Sequence, residues 1–136
     1  MNKREKELCK AVKIIASTIQ YENGVPACNQ YLMNIMEADP LKFYTFCLFF
    51  GDIGNSVLIP SDFKFELNNR INTDVLIQED YNNAFNQIYN EFAYDKQKDE
   101  IYITSEFYKV LNGNPSIAGI FSEFSAFVIN SMDNES

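Results

Sequence analysis

The stretch LKFYTFCLFF, residues 41–50, decides the fold because it is apolar on nearly every side. A run of this length is buried either as a central helix or as a strand, and periodicity alone does not separate the two. Asp39 and Pro40 before it have the form of a helix N-cap followed by a proline in the first turn, and Gly51 after it is a common helix stop. These flanking signals favour a buried helix.

Helical spacing of apolar residues is also present near the N-terminus, at Leu8, Val12, Ile15 and Ile19. This spacing predicts an amphipathic helix from about 3 to 22. Gly24 is the expected end of that helix, and Pro26 is the expected start of a second one. The second helix is expected to bury one apolar face, made of Cys28, Tyr31, Leu32, Ile35 and Met36.

Turn signals follow the helix predicted at residues 41–50, and they flank two short segments that have the composition of strands. These runs, 57–59 and 63–67, predict a small antiparallel hairpin within 51–75. A long helix is then expected from about 76 to 94. Its buried face is predicted to consist of Ile77, Tyr81, Ala84, Phe85, Ile88 and Phe92.

A polar turn at 95–100 is expected to end the long helix. Residues 101–103 predict a further short strand, and Thr104 or Ser105 is the expected cap of the helix after it. The Asn-Gly-Asn-Pro break at 112–115 precedes the last helix. The buried stripe of that helix is predicted at Ile117, Ile120, Phe121, Phe124 and Val128.

These segments predict a mostly α fold, α+β at the margin, with five to six helices and one small antiparallel hairpin or sheet in the middle. We assign residues 1–132 to a single globular domain and 133–136 to a frayed C-terminal tail. Aromatic side chains must dominate the core, because 15% of the residues are Phe or Tyr and none is Trp.

The charge of the chain constrains its partners. A net charge of −8 repels phosphate backbones and anionic lipid, so we expect neither direct nucleic-acid binding nor membrane binding. The N-terminal residues do not resemble a signal peptide, and no apolar run is long enough to span a bilayer. Three widely spaced cysteines suit reduced, buried thiols. We therefore expect a cytoplasmic protein.

The absence of histidine argues against the common catalytic machines. Without imidazole, neither a Ser-His-Asp nor a Cys-His arrangement can form, and typical zinc sites lose a preferred ligand. We expect no cofactor, no metal and no enzymatic activity. A small carboxylate-based enzyme is the third of our hypotheses, although the adjacent acids Glu79 and Asp80, and likewise Asp99 and Glu100, do not converge on one substrate.

Two polar stripes are candidates for binding. Lys3, Lys6, Lys10 and Lys13 share one sector of the first helix. The first 13 residues hold five bases against two acids, a charge of +3, so the remainder of this −8 chain carries −11. The lysines are able to touch an acidic partner, to pair with the acidic remainder or to face water, and water is the favoured interpretation.

The second stripe lies on the long helix and is built mainly from amides, at Glu79, Asn82, Asn83, Asn86, Gln87 and Asn90. Exposed helix faces usually carry Lys, Glu and Arg, and amides cost less to desolvate than ions do. The Asn-rich composition of the whole chain is the competing explanation. We predict that a partner is bound by this face and the adjoining turn, through Glu79, Asn83, Asn86, Asn90, Asp95, Asp99 and Glu100.

A short acidic domain of this kind resembles, in general character only, the immunity proteins and antitoxins with which bacteria neutralise toxic enzymes. The functional hypothesis is an inhibitor that covers the active site of a basic protein such as a cognate toxin or nuclease. The alternative is a regulatory or scaffold protein that forms a homodimer or larger self-assembly through exposed aromatics, for example Tyr89, Phe107 or Tyr108.

Overall fold

The computed structural model describes residues 2–23, 25–52 and 75–135. These ranges are mostly helical and contain six helices: α1 (Lys3–Thr18), α2 (Gln30–Ala38), α3 (Pro40–Asp52), α4 (Gln78–Tyr89), α5 (Ser105–Asn112) and α6 (Pro115–Glu135). They also contain four short strands: β1 (Gln20–Glu22), β2 (Val25–Ala27), β3 (Phe92–Asp95) and β4 (Glu100–Ile103). The strands form two separate antiparallel pairs, β1 with β2 and β3 with β4. The predicted mostly α fold is confirmed.

The central apolar stretch is a helix, as its flanking signals predicted. The carboxylate of Asp39 accepts a hydrogen bond from the Lys42 amide at 3.1 Å, and Pro40 occupies the first turn of α3. Both features stabilise the helix start, because they satisfy or remove backbone donors that have no partner within the helix. Helix α3 packs along α6 and also contacts α2.

Phe50, near the end of α3, is at the centre of an aromatic core. Its ring lies within about 6 Å of five other rings, which belong to Phe46, Phe49, Phe92, Phe107 and Phe121. Most of these pairs are tilted or edge-to-face, the arrangements that the quadrupoles of aromatic rings favour. The rings come from α3, β3, α5 and α6, so this cluster joins the C-terminal half of the chain to its centre.

The first helix is shorter than predicted and ends at Thr18, and Pro26 does not begin a helix. Instead, β1 and β2 form a hairpin in which Glu22 pairs with Val25, and Pro26 lies in β2. The connection has two residues, and Asn23 has a φ of 54°. Asn-Gly is the preferred sequence for such a turn. The prediction was wrong because it treated Gly24 as a helix stop and overlooked the hairpin signal at that position.

Asn29 fixes the geometry between α1 and α2. Its side-chain oxygen accepts from the Leu32 amide at 2.9 Å and caps α2, while its Nδ2 donates to the carbonyl of Thr18 at the end of α1. The Thr18 hydroxyl is 2.9 Å from the hydroxyl of Tyr81, which is buried in α4. One buried amide and two hydroxyls therefore connect three helices, and each of these buried groups has a hydrogen-bond partner.

The long helix also ends early. α4 stops at Tyr89, and Phe92 lies in β3, where its ring stacks on Phe49 with centroids 4.1 Å apart. Phe92 is buried as predicted, but on a strand rather than a helix. Pairing with β4 explains the difference, because the predicted strand at 101–103 needs a partner and β3 is that partner. Thr104 caps α5 through its hydroxyl, as one of the two predicted caps.

The predicted strands at 57–59 and 63–67 lie outside the described residues. None of the helices in the described ranges has the length and apolar composition that crossing a bilayer demands.

The role of Phe50 is testable by truncation. We expect Phe50→Ala to lower the free energy of unfolding by about 3–5 kcal/mol, because it leaves a cavity among five rings. Leu41→Ala on the same helix is the control. Leu41 is 75% exposed, so its loss should change stability by less than about 0.5 kcal/mol. Urea unfolding followed by circular dichroism measures both, and equal effects would contradict the assigned core.

Candidate functional site

The exposed side of α4 carries four of the residues predicted to bind a partner. Glu79, Asn83 and Asn86 lie on the helix, Asn90 follows its last residue, and all four are exposed. We call these four residues the α4 face. The opposite side of the helix is buried through Tyr81, Ala84, Phe85 and Ile88, as the apolar spacing predicted. Core packing therefore orients the α4 face outward.

A shallow groove of about 170 Å³ runs beside the α4 face, between α4, α2 and the start of α3. Its lining combines apolar groups with amides and two opposite charges: Asn34, Ile35, Ala38, Asp39, Lys42, Gln78, Asn82, Phe85 and Asn86. Of the predicted partner-binding residues, Asn86 lines this groove. An apolar floor with a few polar groups at its rim is the usual composition of a recognition site.

Side-chain amides link α2 to α4 along the groove. Asn34 accepts from Gln30 at 2.8 Å and donates to Gln78 at 2.7 Å. Gln78 in turn donates to Asn82 at 2.7 Å and to the Tyr31 carbonyl at 3.3 Å. Asn34 and Gln78 each accept through the side-chain oxygen and donate through the NH2 group, whereas the NH2 group of Asn82, at the end of the series, donates to no other described residue.

Lys42 determines how Asn86 is oriented. Its Nζ donates to Asn86 Oδ1 at 2.8 Å and lies 4.9 Å from the centre of the Tyr89 ring. An ammonium group only donates, so the amide oxygen of Asn86 must face Lys42 and its NH2 group must face away. The attraction between the ammonium and the face of the ring helps to hold Lys42 in place.

Because of these contacts, the α4 side of the groove presents hydrogen-bond donors. The NH2 groups of Asn82 and Asn86 are one helical turn apart, and neither donates to another residue in the described ranges. The ammonium of Lys42 is beside them. The sequence had suggested an acidic, amide-rich face without basic residues, and the approach of Lys42 from α3 changes that composition.

The acidic turn is separated from the α4 face. Residues 95–100 form the tip of the β3–β4 hairpin. Asp95 is three residues beyond Phe92 on β3, which corresponds to about 10 Å at a rise of about 3.3 Å per residue. Asp95 uses its carboxylate locally, as acceptor for the amides of Gln97 and Lys98. Glu100 accepts from the Tyr102 hydroxyl at 2.8 Å, and Asp99 is exposed with a φ of 52°. The turn also holds two lysines, so its charge is only −1.

Part of the groove was missed by sequence reasoning. Asn34 belongs to α2, Asp39 is its C-cap and Lys42 belongs to α3, and all three are more than forty positions from Asn86 in the sequence. Asp39 was recognised only as a helix cap. Nothing in the local pattern of α2 or α3 indicates that these side chains meet α4, because that meeting depends on how the helices pack.

The lysine stripe of α1 remains unpaired. Lys3, Lys6, Lys10 and Lys13 are exposed, and none of them makes an ion pair with an acid in the described part of the chain. The four lysines therefore do not pair with the described acids. The two other interpretations, in which they face water or contact an acidic partner, both agree with this exposure.

Arg4 behaves differently from the neighbouring lysines. Its Nη2 donates to both carboxylate oxygens of Glu91, at 2.6 and 2.8 Å, and Thr104 donates to the same carboxylate at 3.2 Å. The hydrogen bond to Glu91 and the negative charge of Glu91 raise the pKa of Arg4. The Glu91 side chain is only 8% exposed, whereas that of Arg4 is 51% exposed. Glu91 is thus a buried residue with a structural role.

The three cysteines form no disulfide, and no group of three metal-ligating side chains occurs among the residues that the structure describes. Cys9 and Cys47 are buried and Cys28 is half-buried. Burial raises the pKa of Cys28 to about 11 and that of Cys47 to about 12. A thiol with so high a pKa is a poor nucleophile at neutral pH, since the thiolate is the reactive form.

Of the three aromatics suggested for self-association, only Tyr108 is an exposed side chain. Phe107 is fully buried beside Phe50, so its assignment to the surface was wrong. The spacing of α5 places Phe107 on the core side together with Val110 and Leu111. Tyr89 is half-buried beneath Lys42.

Comparisons of the chain with protein-family profiles, with curated proteins and with solved structures each found no match. The function must therefore be argued from the chemistry of the surface itself.

Mutating either partner of the Arg4–Glu91 ion pair should lower the free energy of unfolding, but by different amounts. Arg4→Gln leaves a buried carboxylate without its cation, so we expect it to lower the free energy of unfolding more than Glu91→Gln does. Glu91→Gln leaves an arginine that water can reach, and we expect a loss of about 1 kcal/mol. Lys10→Gln on the same helix is the control, with a change below about 0.5 kcal/mol. The reverse order of the first two effects in urea unfolding would refute this assignment.

The thiol pKa values predict slow alkylation. At pH 8 a thiol of pKa about 11 is ionised to about 0.1%, so iodoacetamide should label Cys28 far more slowly in the native protein than in urea, and Cys47 more slowly still. Labelling of Cys28 should increase about tenfold per pH unit from pH 8 to 10, because the thiolate fraction grows in proportion below the pKa. Mass spectrometry of digests measures each site, and a plateau above pH 9 would indicate an ordinary pKa.

Proposed function

We propose that the protein is a binding inhibitor of another protein, in the manner of an immunity protein or antitoxin that covers a basic toxin, for which a nuclease is one candidate. The observation that carries the proposal is the exposed side of α4, where hydrogen bonds hold the amides of Asn82 and Asn86 in defined orientations. Oriented amides suit a surface that a partner covers, since they cost less to desolvate than ions and accept only matching groups.

The charges around the α4 face divide it into two parts. Glu79 and Asp80, in the first turn of α4, are exposed and form no ion pair with the described residues. These carboxylates suit lysine or arginine side chains of a basic partner, which the net charge of −8 also attracts over longer distances. The NH2 groups of Asn82 and Asn86 with Lys42 instead suit acceptors, such as a carboxylate or backbone carbonyls of the same partner.

The acidic turn has a smaller part in this proposal than the sequence suggested. Asp95 and Glu100 already accept hydrogen bonds within their own hairpin. A partner that displaced these bonds would have to replace them, which reduces the net gain. We therefore expect Glu79, Asn83 and Asn86 to supply more of the affinity than Asp95, Asp99 and Glu100.

The test begins with a tagged copy of the full chain, used to isolate its partner from a native lysate. A basic partner identified by mass spectrometry is then titrated by calorimetry with the wild type and with Glu79→Gln/Asn86→Ala/Asp99→Asn. Dominant contacts contribute about 2 kcal/mol or more each, so we expect the triple variant to bind at least about 30-fold more weakly. If the partner is a toxic enzyme, its activity should be abolished at a one-to-one ratio.

A matched control separates a local contact from the general effect of charge. Glu22→Gln/Glu37→Gln/Asn112→Ala changes exposed residues that belong to other elements than α4, and it likewise removes two negative charges. We expect its affinity to remain within about threefold of the wild type at physiological salt, where exposed charges act over short distances only. Equal losses in both variants would show that charge, and not the α4 face, determines binding.

A further inference from the structure

Lys42 brings a positive charge to the groove between α2, α3 and α4, and it forms no ion pair with an acid in the described ranges. Its ammonium donates to the neutral oxygen of Asn86 at 2.8 Å. Asp39 lines the same groove, but its carboxylate accepts from the Lys42 backbone amide as the cap of α3. An ammonium beside an apolar floor gains from a counter-ion, because a low local dielectric strengthens the attraction. The groove therefore holds a cation that lacks an anion.

A backbone carbonyl fixes the direction of the Asn82 amide. The carbonyl oxygen of Tyr31 only accepts, so the Gln78 side-chain nitrogen that lies 3.3 Å from it must belong to an NH2 group. The same nitrogen is 2.7 Å from Asn82 Oδ1, which therefore has to be the acceptor. The NH2 groups of Asn82 and Asn86 are then both left without an acceptor in the described ranges. Turning either amide over would bring two donors together.

The three donors of the groove match a carboxylate. Asn82 and Asn86 are one helical turn apart on α4, and side chains at that spacing have Cβ atoms about 5–6 Å apart. Two carboxylate oxygens bridge such a gap with one hydrogen bond of about 2.9 Å to each amide, and Lys42 supplies the opposite charge. We propose that the groove is a carboxylate site, which binds an Asp or Glu side chain of the partner protein.

Other acceptors suit the groove less well. A backbone carbonyl offers one neutral oxygen, so it leaves the charge of Lys42 without a counter-ion. A phosphate dianion is repelled more strongly than a carboxylate by Asp39 and by the net charge of −8. A singly charged group with two oxygens fits both the number of donors and their charge.

That the carboxylate comes from a protein rests on the proposed inhibitor function, in which a partner covers α4. Glu79 and Asp80 in the first turn of α4 suit lysines or arginines of that partner. The partner is therefore expected to present basic residues and, about one helical turn further along α4, an acid. A small carboxylate tests the groove without any partner, so the two proposals fail separately.

The probe is N-acetyl-glutamate N-methylamide, which carries one carboxylate, and its glutamine analogue is the neutral control. Titrated into the isotope-labelled full chain at fixed ionic strength, the probe should shift the side-chain NH2 signals of Asn82 and Asn86 in NMR spectra. We expect the shifts to saturate with a dissociation constant of about 1–10 mM. Shifts that do not saturate, equal shifts with the glutamine analogue or tighter binding of inorganic phosphate would each overturn the proposal.

A lysine substitution separates the groove from the general effect of charge. Lys42→Gln removes the ammonium, and Lys10→Gln removes the same charge from the exposed side of α1. We expect Lys42→Gln to weaken binding of the probe at least about tenfold, because a charged hydrogen bond is lost, and Lys10→Gln to change it less than about twofold. Equal losses in the two variants would show that net charge attracts the probe, against the proposal.

Asp39→Asn provides a change of opposite sign. Asparagine also caps helices, so α3 keeps its start while the groove loses a charge that repels the probe. We expect the probe to bind at least about threefold more tightly to Asp39→Asn, and to be unaffected by Glu22→Gln on β1, which removes an exposed charge outside the groove. Binding that is unchanged or weaker in Asp39→Asn would contradict a carboxylate in the groove. Thermal unfolding verifies that each variant is folded.

Discussion

The packing of Phe50 among five other aromatic rings is the contact on which the remaining architecture depends. Phe50 is on α3, and its neighbours come from β3, α5 and α6 as well as α3 itself. Most of the largest fully buried side chains in the described ranges are Phe or Tyr, so aromatic rings supply much of the apolar area of the core. A helix that is apolar nearly all round packs one side into this core, and its remaining apolar residues Leu41, Tyr44 and Leu48 then reach the surface.

The same core determines how the α4 face is presented. Phe85 of α4 stacks against Phe46, and Tyr81 is held by its contact with Thr18, so α4 cannot rotate without losing both. Lys42 extends from α3 toward α4 and reaches Asn86 because these two helices share the aromatic core. The orientation of a surface amide thus depends on buried rings. A core substitution can therefore alter the recognition surface without touching it.

Local signals in the sequence predicted more of the fold than of the site. Asp39 and Pro40, Thr104, and the break before Pro115 predicted where α3, α5 and α6 begin, because caps and prolines act within a few residues. Tyr21 and Phe92 were placed on helices because the predicted helices continued through them, although both residues pair in hairpins. The pairs Lys42–Asn86 and Arg4–Glu91 lie 44 and 87 residues apart, and no local pattern reports such contacts.

The exposed side of α4 combines two kinds of selectivity. Net charge accelerates encounter with any basic protein and by itself distinguishes poorly between partners. The directed amides of Asn82 and Asn86 add a geometric requirement, because a partner without acceptors at the right positions leaves buried donors unsatisfied. Charge and directed donors together therefore favour a basic protein that also places acceptors over these two amides.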